Sequence, residues 1–322
     1  MTETAVALAQ CHDYDPDRVA HAIARQFELL GGVRRFVKPG DAVLIKPNFI
    51  APRSHKQDPT QTHPEVILAV ARLLKDFGAS PFVGDSPGWG DAHICAEALE
   101  LIEPLKRLGV PIRQLDRPRT RRVGRHGPRV GLSDVAMEAD AIVNLPKLKA
   151  HGQLLVTLAV KNMFGCVSGK RKALWHYRRG GNPAGFCQLL IDICYFLQPA
   201  VTLIDGIVAM ERTGPSGGDS RPLGWLIGGA DPLSCETVCC RLLGIDPERV
   251  PILRTAGQMQ LDGLDFDRIE LVGDPLGEPC SDFELPTTLI PIRFSLRRVL
   301  RSKLRQMWLL ARKPRPKPAS SA

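Results

Sequence analysis

Aromatic residues are scarce in this chain: phenylalanine, tryptophan and tyrosine together make up 6% of its 322 residues. Proteins that bind single-stranded nucleic acids stack the bases on such side chains. The formal net charge of +9 would suit a nucleic-acid partner, but the excess lies in residues 113–129, 170–179 and 293–317. None of these segments contains a recognisable nucleic-acid-binding module. A nucleic-acid partner is therefore not expected.

The nine cysteines include no Cys-x-x-Cys pair. Cys235, Cys239 and Cys240 are spaced as on one helix, and so are Cys187 and Cys194. This pattern favours buried, reduced thiols that pack as small apolar side chains, which is typical of a cytosolic protein. A zinc or iron–sulfur site would need ligand pairs that this sequence lacks.

Two kinds of apolar segment are also missing. The N-terminal residues MTETAVALAQ lack the basic and long apolar regions of a secretory signal, and no stretch has the length of an uncharged membrane span. With 44% hydrophobic and 24% charged residues, the composition is that of a soluble globule. We expect a cytoplasmic protein.

Helix and strand patterns alternate through most of the sequence. Asp15-Pro16, Asn182-Pro183 and Asp231-Pro232 each combine a side-chain cap with a proline in the first turn, which predicts a helix start. Residues 62–65, with the sequence THPE, resemble a capping box, which also predicts a helix start. Residues 170–181 are basic and contain glycine, which predicts a mobile flap. The alternation predicts an α/β fold, with a layered parallel or mixed sheet and helices on both faces. We assign residues 1–285 to this domain and residues 286–322 to a tail.

Several predicted strands end in polar residues that could bind a ligand or take part in catalysis. Because ligands bind beyond the carboxyl ends of the strands in open parallel sheets, we expect these residues to share one edge. The strand at residues 42–45 is followed by Lys46 and Asn48, residues 82–83 by Asp85, residues 141–143 by Asn144, Lys147, Lys149 and His151, and residues 201–204 by Asp205. Asp85 and Asp205 have a simpler alternative role, because carboxylates beside serine or glycine often cap a turn.

Lys161 is the strongest candidate for a reactive group. It follows residues 154–160, which are apolar except for Thr157. Burial disfavours a charged lysine and lowers its pKa, which suits a nucleophile or a base. The alternative is a lysine whose ammonium reaches the surface along an apolar stem. The glycine-rich loop at residues 214–219 matches neither the Walker nor the dinucleotide pattern and reads as an ordinary loop.

Several motifs together resemble the family known as domain of unknown function 362 (DUF362), many members of which are called iron–sulfur-centre proteins. The resemblance covers roughly residues 42–244. The motifs are KPN at residues 46–48, THPE at 62–65, GDSPG at 84–88, LPKLKAHG at 145–152, VKNMFGCVSG at 160–169, His176, IDG at 204–206, GPxGG at 214–218 and ADPLSCE at 230–236. The sequence departs from the family pattern in lacking an appended ferredoxin-like cysteine motif, and in having Glu236 where an aspartate is usual.

The resemblance and the strand-end residues together indicate an enzyme that acts on a small anionic substrate, a carboxylate or a phosphate. A more distant likeness to the nickel-pincer lactate racemases rests on the spacing of His151 and Lys161. The expected roles are catalytic for Lys161 and His151, substrate-binding for Lys46, Asn48, Lys147, Lys149, Asn162 and His176, and orienting or metal-binding for Asp85, Asp205 and Glu236. The alternative is a non-catalytic iron–sulfur or electron-transfer accessory protein. The cofactor is unknown, and an iron–sulfur cluster is implied by family association alone.

The tail has its own pattern. In residues 292–312, apolar residues recur at helical spacing while arginines and a lysine fill the other face, and KPRPKP follows. This predicts a basic amphipathic helix, of the kind that lies on an anionic membrane or docks a partner. The same helix could instead pack on its own domain. Residues 292–317 are therefore the expected contact with a membrane surface or protein partner, which would make the protein peripheral at a membrane.

Overall fold

The computed structural model describes residues 2, 4–56, 59–169 and 171–293. The strands within them are β1 Val6–Gln10, β2 Ala42–Pro47, β3 Ser80–Asp85, β4 Ile112–Gln114, β5 Pro118–Arg122, β6 Arg129–Ser133, β7 Ala141–Leu145, β8 Lys147–His151, β9 Leu155–Thr157, β10 Val201–Glu211, β11 Asp219–Gly229 and β12 Leu271–Gly273. A mixed and mostly parallel sheet has the strand order β12-β1-β11-β10-β7-β2-β3-β4, and β8 and β9 extend it beside β10.

Helices cover both faces of this sheet, so the predicted α/β class is confirmed. The helices are α1 Pro16–Leu29, α2 Pro64–Asp76, α3 Ala92–Ala98, α4 Ile102–Arg107, α5 Asp134–Met137, α6 Ala159–Met163, α7 Arg171–Arg179, α8 Pro183–Leu197, α9 Pro232–Leu242 and α10 Pro251–Gln258. One apolar core packs α1 and α2 against one face of the sheet, and a second core packs α6, α8, α9 and α10 against the other face.

The three predicted helix starts all form as expected. The side chains of Asp15, Asn182 and Asp231 each accept a backbone N–H in the first turn of α1, α8 and α9, and a proline follows each of them. These groups satisfy amides that have no partner within the helix. Strand β2 likewise ends in Lys46-Pro47, as predicted.

The predicted capping box at residues 62–65 is wrong. The N-cap of α2 is His63, whose side chain accepts from the backbone N–H of Glu65. The hydroxyl of Thr62 instead accepts from the backbone N–H of Asn48 and donates to the carbonyl of Leu145. Tertiary contacts to β2 and β7 thus take a hydroxyl that the local pattern assigned to the helix.

Two further segments differ from the sequence-based expectation. The predicted flap at residues 170–181 contains helix α7, whose Trp175 and His176 are buried because the helix is amphipathic. Strand β10 does not end at Asp205 but continues to Glu211 and returns as the antiparallel strand β11. The arginine-rich residues 118–133 form the antiparallel β5–β6 pair.

Residues 286–293, assigned to the tail, lie against the α/β domain. Ile292 is buried, and the backbone N–H of Ile290 donates to the carbonyl of Gly152. From residue 294 onward the predicted amphipathic helix lies outside the described residues.

Candidate functional site

Strand register brings the polar residues of five strands to one edge of the sheet. In the parallel pair β2–β7, Lys46 lies opposite Asn144. In the parallel pair β8–β10, Lys147 lies opposite Asp205 and Lys149 lies opposite Met210. The carboxyl end of β3 adds Asp85 beside β2. The predicted gathering of these residues at one edge is therefore observed.

Lys46 and Asp85 form a buried ion pair. Nζ of Lys46 lies 2.9 Å from Oδ2 of Asp85, and both side chains are almost fully buried. The same ammonium donates to the carbonyl of Pro47 at 2.6 Å, and Oδ2 of Asp85 also accepts from the backbone N–H of Phe49. A buried charge without such partners would cost several kcal/mol, at least about 3. Each member of this pair therefore holds the other in place.

Asparagine amides connect this pair to the neighbouring strands. Nδ2 of Asn162 donates to Oδ1 of Asn144 at 2.8 Å and to the carbonyl of Lys46 at 3.1 Å. Its Oδ1 accepts from Nδ2 of Asn48 at 3.1 Å. Asn162 therefore ties the short helix α6 to β2 and β7, and fixes the orientation of the neighbouring Lys161.

A second buried ion pair joins Lys147 to Asp205. Nζ of Lys147 lies 2.9 Å from Oδ2 of Asp205 and 2.6 Å from the hydroxyl of Tyr14. That hydroxyl donates to Oδ1 of Asp205 at 2.8 Å, and the backbone N–H of His63 donates to Oδ2 at 2.9 Å. Asp205 thus accepts three hydrogen bonds. Tyr14 completes the network, although the sequence analysis did not select it.

Burial dominates the protonation behaviour of this network. It lowers the pKa of Lys147, and the nearby Asp205 carboxylate opposes that shift. Burial and the same carboxylate raise the pKa of Tyr14 well above its ordinary value, so the phenol stays protonated and donates. His63 stacks on Tyr14 with ring centroids 3.5 Å apart. Its burial lowers the pKa of that imidazole to about 3, so it is neutral.

A cavity of about 40 Å³ lies in front of these pairs. This is several times the room that one water molecule needs, and it suits a group the size of a carboxylate or phosphate. No carboxylate belongs to its lining among the described residues. The lining consists of Asn48, Ile50, Lys147, Lys149, His151, Thr157, Leu158, Lys161, Asn162 and Pro215.

Lys161 differs in its contacts from Lys147 and Lys149, the other two lysines of the lining. Among the described residues, its Nζ has neither a hydrogen-bond acceptor nor an ion-pair partner; it lies 5.0 Å from the centroid of the Phe164 ring. Burial, followed by the nearby Lys46 ammonium, lowers the pKa of Lys161 to about 8, and the Asp85 carboxylate opposes the shift. At pH 7 about a tenth of this amine is therefore unprotonated, far more than for an ordinary lysine.

His151 is a neutral imidazole with an assignable tautomer. Its Nδ1 accepts a hydrogen bond from the backbone N–H of Gln153 at 3.1 Å. Because a backbone amide can only donate, Nδ1 carries no proton and the ring proton is on Nε2. Burial lowers the pKa of His151 well below its ordinary value, and the positive charges of Lys161 and Lys149 lower it further. His151 therefore presents an N–H donor rather than a cation.

Two further polar groups, the Lys149 ammonium and the Thr157 hydroxyl, belong to the lining. Nζ of Lys149 donates to Oδ1 of Asn48 at 2.5 Å and to the carbonyl of Thr60 at 2.8 Å. The hydroxyl of Thr157 is buried and has no hydrogen-bond partner among the described residues. A buried hydroxyl without a partner costs about 1–3 kcal/mol, so a ligand that accepts from it would be stabilised.

Two candidate residues lie outside the described lining. His176 is packed against the rings of Phe164 and Phe186, and burial lowers its pKa to about 3. Glu236 on α9 accepts from the backbone N–H of Val160 at 2.8 Å, which satisfies the first turn of α6. Burial raises the pKa of Glu236 to about 8. Glu236 therefore supports α6, and neither residue belongs to the cavity lining.

The side chains in the described part of the chain do not fit an iron–sulfur cluster. Eight of the nine cysteines are buried in the core as free thiols, and Cys280 is partly exposed. Burial raises the pKa of Cys235 and Cys239 well above the ordinary value, which favours the thiol over the metal-binding thiolate. No group of three or more His, Cys, Asp or Glu residues is close enough to hold a metal within the described ranges.

The family model described as domain of unknown function (DUF362) matches residues 43–241. The chain belongs to the DUF362 family. That match spans the strand-end lysines, His151, Lys161 and Glu236 but excludes Tyr14, which lies N-terminal to the DUF362 segment.

One curated relative of this DUF362 protein is the thylakoid-associated protein sll1697 of Synechocystis sp., with 37% identity over 308 residues, or 94% of each chain. Among solved structures, the lactate racemase apoprotein from Thermoanaerobacterium thermosaccharolyticum matches with a TM-score of 0.46 and 13% identity. That match covers 74% of this chain and 58% of the racemase chain. A likeness this distant carries no argument about this protein.

No helix in the described residues has the length and hydropathy to cross a membrane.

Proposed function

We propose that this protein is an enzyme that binds a small anionic substrate, a carboxylate or a phosphate, in the cavity in front of β8 and α6. The observation that carries the proposal is Lys161, an amine on the cavity wall that has no acceptor or counter-ion among the described residues. Lys149, the Nε2–H of His151 and the Thr157 hydroxyl add donors around the same space. An anion is the ligand that such a set of donors and positive charge favours.

Lys161 has the properties of a base or a nucleophile in this proposal. With a pKa of about 8, it is partly neutral at physiological pH, whereas an ordinary lysine is almost fully protonated. Its neutral amine can take a proton from the substrate or attack a carbonyl carbon. His151, with its proton on Nε2, would stabilise a developing oxyanion or return a proton. Racemisation fits these roles, because it needs only a base and a group that returns the proton.

The two ion pairs have supporting roles in this proposal. Lys46 and Lys147 each have a carboxylate partner, Asp85 and Asp205. Their ammonium groups are already bonded to these carboxylates, so Lys161 would hold the anion more directly than Lys46 and Lys147. Lys149, which donates to Asn48 and Thr60, and Asn162, next to Lys161, complete this side of the cavity.

Borohydride trapping tests the nucleophile. A small α-keto acid such as pyruvate would condense with the Lys161 amine, losing water to form an imine, and borohydride would reduce the imine to a stable secondary amine. We expect modification of Lys161 to rise with pH through a midpoint near 8. Peptide mass mapping identifies the modified lysine.

Lys172 is the matched control in this experiment. Burial lowers its pKa to about 8 as well, but it lies outside the described cavity lining and donates to the carbonyl of Ser86. If Lys172 or a surface lysine is modified instead, or no lysine reacts with any small keto acid, the nucleophilic role of Lys161 is wrong.

We also propose that the protein is cytoplasmic and peripheral at a membrane or a partner through residues 292–317. The name of the thylakoid-associated relative and the basic amphipathic pattern of these residues support this. Deletion of residues 292–322 should strongly weaken co-sedimentation with anionic vesicles. Equal sedimentation of the full and shortened chains would refute the role of the tail.

A further inference from the structure

We infer that the folded domain itself carries a docking face for an anionic bilayer, built by α7 and residues 289–293 beside the cavity. We call this surface the α7 face. It goes beyond the proposal for the tail, because its residues belong to the described domain. It also does not depend on the chemistry of the cavity.

Helix α7 is amphipathic in a way that leaves large side chains in solvent. Trp175 and His176 are buried against the domain, whereas Leu174 and Tyr177 are 42% and 45% exposed on the opposite side. Arg178 lies next to them on the same exposed side at helical spacing. Exposed apolar residues that are grouped with arginines are typical of a helix lying in a membrane interface.

Residues 289–293 extend this surface. Leu289 and Ile290 are 40% and 47% exposed. The guanidinium of Arg293 lies 5.0 Å from the centroid of the Tyr177 ring, which links the segment directly to α7. The backbone of Arg293 also lies against Gly180, the residue directly after α7. The segment that carries Leu289 and Ile290 therefore meets the C-terminal end of α7.

The charge of the α7 face is positive. Helix α7 has the sequence RKALWHYRR and contains no acidic residue. Neither Arg178 nor Arg293 forms an ion pair among the described residues. An anionic surface would therefore gain attraction without breaking an existing pair.

The chain beyond residue 293 favours a bilayer over another occupant. The described chain ends on the α7 face, and the next residues, FSLRRVLRSKLRQMWLLAR, continue the same alternation of arginines with leucines and aromatic residues in sequence. An anionic bilayer suits both segments, because each combines apolar with basic residues. The tail folding back over the face is the competing arrangement.

The α7 face also adjoins the cavity. The side chain of Ile290 lies against Gly152, which follows the cavity residue His151. The carbonyl of Gly214 lies against the same glycine, and Pro215 belongs to the cavity lining. Docking of the α7 face would therefore bring this rim of the cavity to the membrane surface.

Vesicle co-sedimentation of the full chain tests the inference. The vesicles contain phosphatidylcholine with phosphatidylglycerol, or phosphatidylcholine alone. We expect binding to the phosphatidylglycerol vesicles that weakens as salt is added. The double variant Leu174→Glu/Tyr177→Glu should partition at least about tenfold more weakly, because it replaces apolar contact with charges that the bilayer repels.

The matched control is Ile94→Glu/Phe196→Glu. These residues are 45% and 40% exposed, on α3 and α8, outside the α7 face. The control should bind like the parent chain, and all three proteins should keep the same melting temperature. The chain shortened to residues 1–293 should still bind weakly, and the Leu174/Tyr177 double substitution should remove that remainder.

Two outcomes would overturn the inference. The first is a double variant that binds as well as the parent, which would assign binding to the tail alone. The second is a full chain that sediments with neither kind of vesicle. Anion binding in the cavity is measured separately, so failure of one proposal leaves the other testable.

Discussion

The hydroxyl of Tyr14 donates a 2.8 Å hydrogen bond to Oδ1 of Asp205, although 191 residues separate the two in sequence. This contact joins the segment before α1 to strand β10 at the edge of the sheet where the candidate site lies. The same hydroxyl accepts from Lys147, a cavity residue. Tyr14 therefore positions Lys147 from outside the segment that matches the DUF362 model.

The variant Tyr14→Phe tests this link. It should lower the free energy of unfolding by about 1–3 kcal/mol, because a buried carboxylate and a buried ammonium each lose a hydrogen bond. It should also weaken anion binding in the cavity, measured by calorimetry with phosphate. Tyr195→Phe is the control, because that hydroxyl bonds to Asp231 at the protein surface. Equal effects of the two variants on anion binding would contradict a positioning role for Tyr14.

The buried ion pair between Lys147 and Asp205 should be costly to break, because removing one partner leaves the other buried without it. Breaking it with Asp205→Asn should cost about 3–5 kcal/mol near pH 7, since the Lys147 ammonium is left buried without its partner. Burial already lowers the pKa of Lys147, so the variant can shed that proton as the pH rises. Urea unfolding should therefore show the cost shrinking between pH 7 and pH 10. The surface pair Lys56–Glu100 is the control, and breaking it should cost at most about 1 kcal/mol.

Glu236 should make the protein less stable as the pH rises. Its pKa is raised to about 8 in the folded protein, from 4.5 in the unfolded chain, so the folded state holds the proton more tightly. The resulting stabilisation is complete below pH 4.5 and is lost as the pH rises through 8. Glu236→Gln keeps the acceptor for the Val160 amide and should be more stable than the parent at pH 9, by on the order of 2–4 kcal/mol. Parallel pH profiles for the two proteins would show that this carboxyl does not titrate as described.

Gly165 should be intolerant of any side chain. A Cβ atom there would lie 2.4 Å from Oδ1 of Asp85 and 2.6 Å from Nζ of Lys46. Gly165→Ala must therefore displace the buried ion pair, at a cost of about 1–3 kcal/mol, and should shift the pKa of Lys161 through its neighbour Lys46. Gly181→Ala has open space around it and should change neither quantity. An unchanged melting temperature for Gly165→Ala would contradict the close packing.

The sequence predicted the features that rest on local patterns. Asp15-Pro16 and Asn182-Pro183 start helices because the side-chain cap and the fixed proline act within one turn. Lys46 and Asp85 could be placed at one edge because parallel strands align their carboxyl ends. Features of this kind need no knowledge of distant contacts.

The features that the sequence did not reveal depend on distant contacts. Tyr14 carries no local signal, since one tyrosine before a helix cap resembles any other. Asp205-Gly206 reads as a turn, but pairing with β11 keeps β10 extended as far as Glu211. His176 is placed by Phe164 and Phe186, which are remote in sequence. Packing in the folded chain, rather than local propensity, decides these positions.

The central claim is that Lys161 is a partly neutral amine at an anion-binding cavity. It can be measured directly by labelling the lysines with ¹³C-methyl groups and titrating them by NMR, with Lys161→Arg used to assign the resonance. The account predicts that Lys161 titrates near pH 8 and that its pKa rises when phosphate or a small carboxylate is added. A Lys161 that titrates near 10.5 and ignores both anions would contradict it.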